Sequence, residues 1–142
     1  MRIRNSSRTI QGALSTSSNT TWEARYGYSR AVRNGNHIFV SGTTAVTPDG
    51  NVVEPNNAYL QACYIFQIID EALTELGASM TDVVRTRMYV VNIGDHQEVI
   101  GKAHAEAFQT ICPAATMIEV SGLILPELLV EIEVDAMIST SP

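Results

Sequence analysis

Three carboxylates occupy alternate positions near the end of the chain, Glu131, Glu133 and Asp135, with Ile132, Val134 and Ala136 between and beyond them. A period of two is that of a β-strand with one apolar and one acidic face. Like charges on one strand face repel, so that face is solvated, matched by arginine, or part of a cavity that uses the charge. In a cavity, Glu131 or Glu133 could hold and polarise a water as a general base. The commoner arrangement is structural, because Arg85 and Arg87 alternate on another expected strand and could neutralise the stripe. The residues alone leave both readings open. Tyr28 and Ser41 add hydroxyls near the ends of an expected hairpin, where isolated hydroxyls are usually structural.

Other chemistry is harder to find. No catalytic triad, phosphate-binding loop, dinucleotide glycine pattern or metal-ligand spacing stands in the sequence, so no cofactor and no metal are expected. His37, His96 and His104 are separated without ligand spacing and suit surface or helix-end roles. Cys63 and Cys112 form no Cys-x-x-Cys pair, and a small buried side chain is the expected role of Cys112.

Length and charge bound the partners. With 142 residues and 45% hydrophobic content the chain suits one domain with a real core. A formal charge of -6 and a pI near 4.9 argue against a polyanionic partner such as nucleic acid, or an anionic membrane surface. No apolar run reaches the length of a membrane helix, and the cysteine usage suits a reducing cytoplasm. Residues 1–21, rich in Ser, Thr and Arg, are expected to form an irregular polar arm ahead of a single domain at 22–142.

The elements that must position these groups follow from pattern. Residues 28–42 read as two strands around Asn34-Gly35, a favoured hairpin dipeptide, with a further turn at Pro48-Asp49-Gly50 and a short strand near 51–53. Apolar residues at helical spacing predict a helix over 57–76, stopped by Gly77. A β-rich strand at 82–91 follows, with Arg85, Arg87 and Tyr89 on one face. A second helix is expected from a capping-box-like start at Asp95 to about Thr110, then strands at 115–120 and 129–138. The fold class is α/β, of the α+β kind: a mixed sheet of about six strands with both helices on one face. The opposite face would expose Tyr89 and Met117 among charges, which predicts an oligomer that covers it.

Several stretches together carry a more specific signal: GYSRAV at 27–32, NHIFVSGTT at 36–44, the GAS-x-x-DVV-x-T segment at 77–86, PAATMIEVSGL at 113–123 and PELLVEIE from Pro126. In order and spacing they resemble the Rid family of reactive intermediate deaminases, also called YjgF-like or L-PSP endoribonuclease-like, over roughly residues 22–138. The resemblance implies a chorismate-mutase-like fold and a homotrimer with three ligand clefts at its subunit interfaces. In the best-characterised branch such clefts hydrolyse a 2-imino acid to a 2-keto acid and ammonia without metal or cofactor. By motif, the family's tyrosine, serine and glutamate correspond to Tyr28, Ser41 and Glu131. The arginine expected after Pro-Ala is replaced by Ala115, which removes the guanidinium that grips a substrate carboxylate. Met117, on the same strand face, joins the expected lining, and Arg87 is a competing relocated anchor whose commoner role is to partner the acidic stripe. The resemblance thus implies a cofactor-independent hydrolase of an imine, enamine or related C–N bond, in a substrate without the usual carboxylate. A non-catalytic trimer that binds metabolites or proteins is the alternative. RNA cleavage, suggested by the family's older name, runs against the net charge.

Overall fold

A computed structural model describes residues 2–5 and 14–139. Alternating burial in β7 (Val130–Met137) sets the architecture: Ile132, Val134 and Ala136 are buried, while the three acids between them are only partly covered. β5 (Val83–Val90) repeats the pattern, with Thr86, Met88 and Val90 buried and Arg85, Arg87 and Tyr89 turned to the other face. Helices α2 (Ala58–Glu75) and α3 (Ile93–Phe108) cover the apolar face, bringing Ile65, Ile69, Leu73, Ile100 and Phe108 onto Ile38, Val40 and the inward residues of β5 and β7. The result is an α+β fold with a mixed sheet and two main helices on one side.

The remaining strands are β1 (Arg2–Asn5), β2 (Leu14–Ser17), β3 (Ala31–Asn34), β4 (His37–Thr44) and β6 (Ala114–Glu119). They run in the spatial order β1-β2-β3-β4-β7-β5-β6. Only the β5–β6 pair is parallel, its crossover supplied by α3. Five of these strands, β3 to β7, are among those expected in the mixed sheet, and β1 and β2 extend it beyond β3 at one edge.

Four local expectations need correction. Residues 1–21 are not irregular throughout: β1 and β2 pair there, and β2 aligns Leu14, Ser15 and Thr16 with Arg33, Val32 and Ala31. A polar strand of Ser and Thr gives no hydrophobic alternation, and backbone pairing against β3 forms it. A six-residue helix, α1 (Thr21–Tyr26), follows, ended by Gly27 in the left-handed region at φ 76°. The hairpin turn is Gly35-Asn36, because Asn34 pairs with His37 and Gly35 takes the positive φ of 62° at the first central position. Helix α3 begins at Ile93, two residues before Asp95, with Asn92 as its N-cap in the left-handed region. Residues 51–53 contribute one isolated bridge, Val46 to Val52, and no strand.

Register also corrects two placements. Met117 pairs with Met88 on the helix side of the sheet and packs, partly buried, against the core. Its neighbour Ile118 instead joins Tyr89 on the opposite face. His104 is half-buried rather than on the open surface: it packs against Phe66 and Phe108, with Nε2 2.8 Å from Thr86 Oγ1, and burial lowers its pKa.

Gln61 ties the long loop before β7 to helix α2. Fully buried, it donates from Nε2 to the carbonyls of Glu54 (3.1 Å) and Glu127 (3.0 Å) and accepts from Leu129 N–H at 2.9 Å. Gln61→Leu keeps the volume but strands three backbone groups, each costing about 1–3 kcal/mol when buried and unsatisfied. Chemical denaturation should show a loss of at least about 2 kcal/mol, and a variant as stable as the natural protein would mean that the loop does not depend on this bridge.

Candidate active site

The strand β4 carries one extra residue relative to β7. Val40 faces Val134 but Thr43 faces Ile132, so the register slips by one residue around Ser41 and Gly42. A bulge bends a strand and re-aims its side chains. Here Thr44 pairs with Glu131, and both line a cavity of about 310 Å³. Tyr28, Arg30 and Ser41 line it too, together with Trp22 and Tyr26 from α1 and Ile124 from the loop before β7.

Gly42 is required at this point. A Cβ built on it would collide with Glu131 Oε2, so only a residue without a side chain lets the carboxylate lie where it does against β4. Glu131 accepts no hydrogen bond among the described residues. Burial raises its pKa above the ordinary glutamate value; the charge of Arg30 partly opposes this, and Glu133 adds to it. The other two acids of the stripe are already engaged. Glu133 accepts from Tyr89 Oη at 2.7 Å and lies 3.5 Å from Arg87, which also reaches Asp135 at 3.2 Å.

Arg30 has no counterpart in the expected site, although it stands two residues from Tyr28, the same-face spacing of an extended chain. It is 5% exposed, and its Nη1 donates to the Gly42 carbonyl and to Thr43 Oγ1, both at 3.1 Å. Its guanidinium lies over the Tyr28 ring, 5.6 Å from the centroid. Beneath it is Glu23 of α1, 2% exposed, whose Oε2 is 3.9 Å from Arg30 Nε. Glu23 also accepts from Ser18 N–H and Oγ and from Thr20 Oγ1, which ties the segment before α1, whose Ser18 and Thr20 line the cavity, to the Arg30–Glu23 pair. A single glutamate in a polar stretch carries no sequence pattern that announces this role.

Of the residues singled out from the sequence, Tyr28, Ser41 and Glu131 come together around one cavity. Ser41 Oγ donates to the Ser29 carbonyl at 2.7 Å, so its proton is committed and its lone pairs serve a ligand only as acceptors. Ala115, Met117 and Arg87 do not line this cavity. Ala115 is exposed on the edge strand β6, in register with Thr86, and Arg87 is held by Asp135 and Glu133. Among the described residues no group of three His, Cys, Asp or Glu side chains is placed to hold a metal ion. Nor is any described helix long and apolar enough to cross a membrane.

Comparison with known proteins adds identity to this geometry. A family model described as Endoribonuclease L-PSP matches residues 18–138. The crystal structure of Rv2704 from Mycobacterium tuberculosis, reported as a member of the YjgF/YER057c/UK114 family, matches at a TM-score of 0.81 and 40% identity, covering 89% of this chain and all of that one. A Yersinia pestis protein reported as of unknown function in the conserved Rid family matches at a TM-score of 0.72 and 32% identity, over 79% of this chain and 88% of its own. An uncharacterised protein of Streptomyces coelicolor is 34% identical over 128 residues, 90% of this chain and 94% of that protein. The family model over nearly the whole sequence, joined to these likenesses in sequence and fold, means that the chain belongs to the Rid family, also known as YjgF or L-PSP.

Proposed function

We propose that the protein is a Rid-type hydrolase of an imine, enamine or related C–N bond, in which Glu131 orients and deprotonates the attacking water. The observation that carries this reading is the isolation of Glu131. Of the three acids on this strand, Glu131 lines the cavity and lacks a hydrogen-bond donor among the described residues, while Glu133 and Asp135 are engaged by Tyr89 and Arg87; burial raises the pKa of Glu131. A carboxylate whose pKa is raised by burial takes up a proton more readily, which suits a general base. In this reading Tyr28 Oη and the acceptor lone pairs of Ser41, both in the lining, orient the substrate nitrogen and the water. With Ala115 in place of the family's carboxylate anchor, the chain falls in a subgroup that handles ordinary 2-imino acids poorly.

The working assembly in this reading is a homotrimer with clefts between subunits. Phe39 (52% exposed), Ile118 (46%) and Met137 (47%) lie on the helix-free face, beside the Arg87 ion pairs. Apolar groups of this size among charges favour burial against a second surface. Sedimentation equilibrium at micromolar concentration should return three times the 15.5 kDa of the chain, and a monomer mass would remove the intersubunit cleft from the proposal. The reaction itself is tested by ammonia release from a panel of imines generated in solution. Turnover above the buffer rate is expected with at least one. Ligand-induced melting shifts without turnover of any would identify a binding protein instead.

A further inference from the structure

We propose that the cavity selects a protonated, carboxylate-free imine or amine bearing an aryl or alkyl group. This rests on the hydrolytic reading for the reaction, while the ligand class follows from charge and shape. Arg30 is the one cation among the described cavity-lining residues, and two of its three nitrogens are closed to a ligand, one engaged and one buried. Nη1 serves Gly42 and Thr43, and Nε is fully buried with no hydrogen-bond acceptor. A carboxylate clamp needs two parallel N–H groups from one edge of the guanidinium, and neither two-nitrogen edge offers both. Arg87, the other candidate anchor, is tied to Glu133 and Asp135 outside the cavity.

The charge balance points the same way. Arg30 faces two carboxylates, Glu23 at 3.9 Å and Glu131 across the cavity, so the site is one negative charge in excess when Glu131 is ionised. Glu23 has its own donors in Ser18 and Thr20, whereas Glu131 has none among the described residues. An incoming N–H cation supplies both the missing donor and the missing charge. An incoming carboxylate would face Glu131 with no free partner. The same cavity also has aromatic and aliphatic lining from Trp22, Tyr26, Ile68 and Ile124. An indole face is the best of the aromatic surfaces for a cation, and aliphatic neighbours accept the organic substituent.

Three ligands of matched shape separate charge from size: benzylamine, benzyl alcohol and phenylacetate, titrated calorimetrically into the full-length protein at pH 8. Benzylamine should bind at least about tenfold more tightly than phenylacetate, with benzyl alcohol between them. Glu131→Gln should abolish most of that difference, whereas Asp135→Asn, which removes the same charge outside the cavity, should preserve it. Phenylacetate binding as tightly as benzylamine, or an equal effect of both substitutions, would overturn the proposal. A turnover arm compares the imine of benzaldehyde with the 2-imino acid derived from phenylalanine. Faster hydrolysis of the carboxylated imine overturns the ligand class and leaves Rid-type hydrolysis standing. Charge-selective amine binding with no turnover of either imine supports the ligand class and defeats the hydrolytic reading.

Discussion

Glu131→Gln should lower the rate of imine hydrolysis by about 10²- to 10⁴-fold while making the protein more resistant to heat at neutral pH. The first figure is the usual contribution of a positioned general base, which an amide of the same shape does not provide. The second follows from burial. The folded-state pKa of Glu131 lies above its ordinary value of 4.5, so the carboxyl's contribution to stability is full below the unfolded-state pKa and lost as pH rises through the folded one. A side chain that never ionises escapes that loss. The melting temperature of Glu131→Gln should therefore exceed that of the natural protein at pH 8, and the gap should close as pH falls toward 4.5. A group kept at a cost to stability is the mark of a functional one. Gly42→Ala offers an independent route to the same site, because its Cβ collides with Glu131 Oε2 and displaces the carboxylate without altering its chemistry. Activity of Glu131→Gln within twofold of natural, with no stability gain at pH 8, would return Glu131 to the structural stripe.

That stripe shows how far the sequence reaches. Period-two alternation in β5 and β7 is local, so the order of residues is enough to put Arg87, Tyr89 and the three acids on one face. Which acid is paired and which is free depends on cross-strand register, which is set by the partner strand. Arg87 aligns with Glu133, and the bulge at Ser41 and Gly42 brings a glycine onto Glu131. No spacing within one strand encodes that slip. Helix α2 is legible because its apolar stripe is long and Gly77 ends it at φ 86°. Helix α1 is not: six residues are too few for a period, and Glu23 and Arg30 gain their roles only through contacts made after the sheet has formed. Family motifs at Tyr28, Ser41 and Glu131 reach what patterning cannot, since three residues so distant in sequence meet only in the folded cavity. The roles carried over by motif do not include Arg30 or Trp22, which the folded cavity brings beside those three residues.

Hydrolysis of a 2-imino acid such as 2-iminobutyrate should be slow in the natural protein and gain at least about tenfold in kcat/KM in Ala115→Arg. The natural cavity has no free guanidinium edge among its described residues, because Nη1 of Arg30 is engaged and its Nε is buried. An arginine at 115 would supply charge-assisted hydrogen bonds worth roughly 1.5–3 kcal/mol each, of which even one exceeds a factor of ten. Residue 115 is exposed on edge strand β6 and is not part of the lining around Glu131 of its own subunit. In the proposed trimer its partner is therefore the cleft completed by a neighbouring chain, and the gain should vanish under conditions that dissociate the assembly. Arg87→Ala supplies the contrast. Its guanidinium is held by Asp135 at 3.2 Å and Glu133 at 3.5 Å, so removing it should leave the low natural activity unchanged while altering stability through the unpaired acids. Steady-state assays of the natural protein and both variants, each checked for mass by sedimentation, decide the matter. Substantial natural activity that disappears in a still-trimeric Arg87→Ala would make Arg87 the anchor and overturn the role given to residue 115. Activity that emerges only with Ala115→Arg would fix residue 115 as the position where this chain gave up carboxylate recognition.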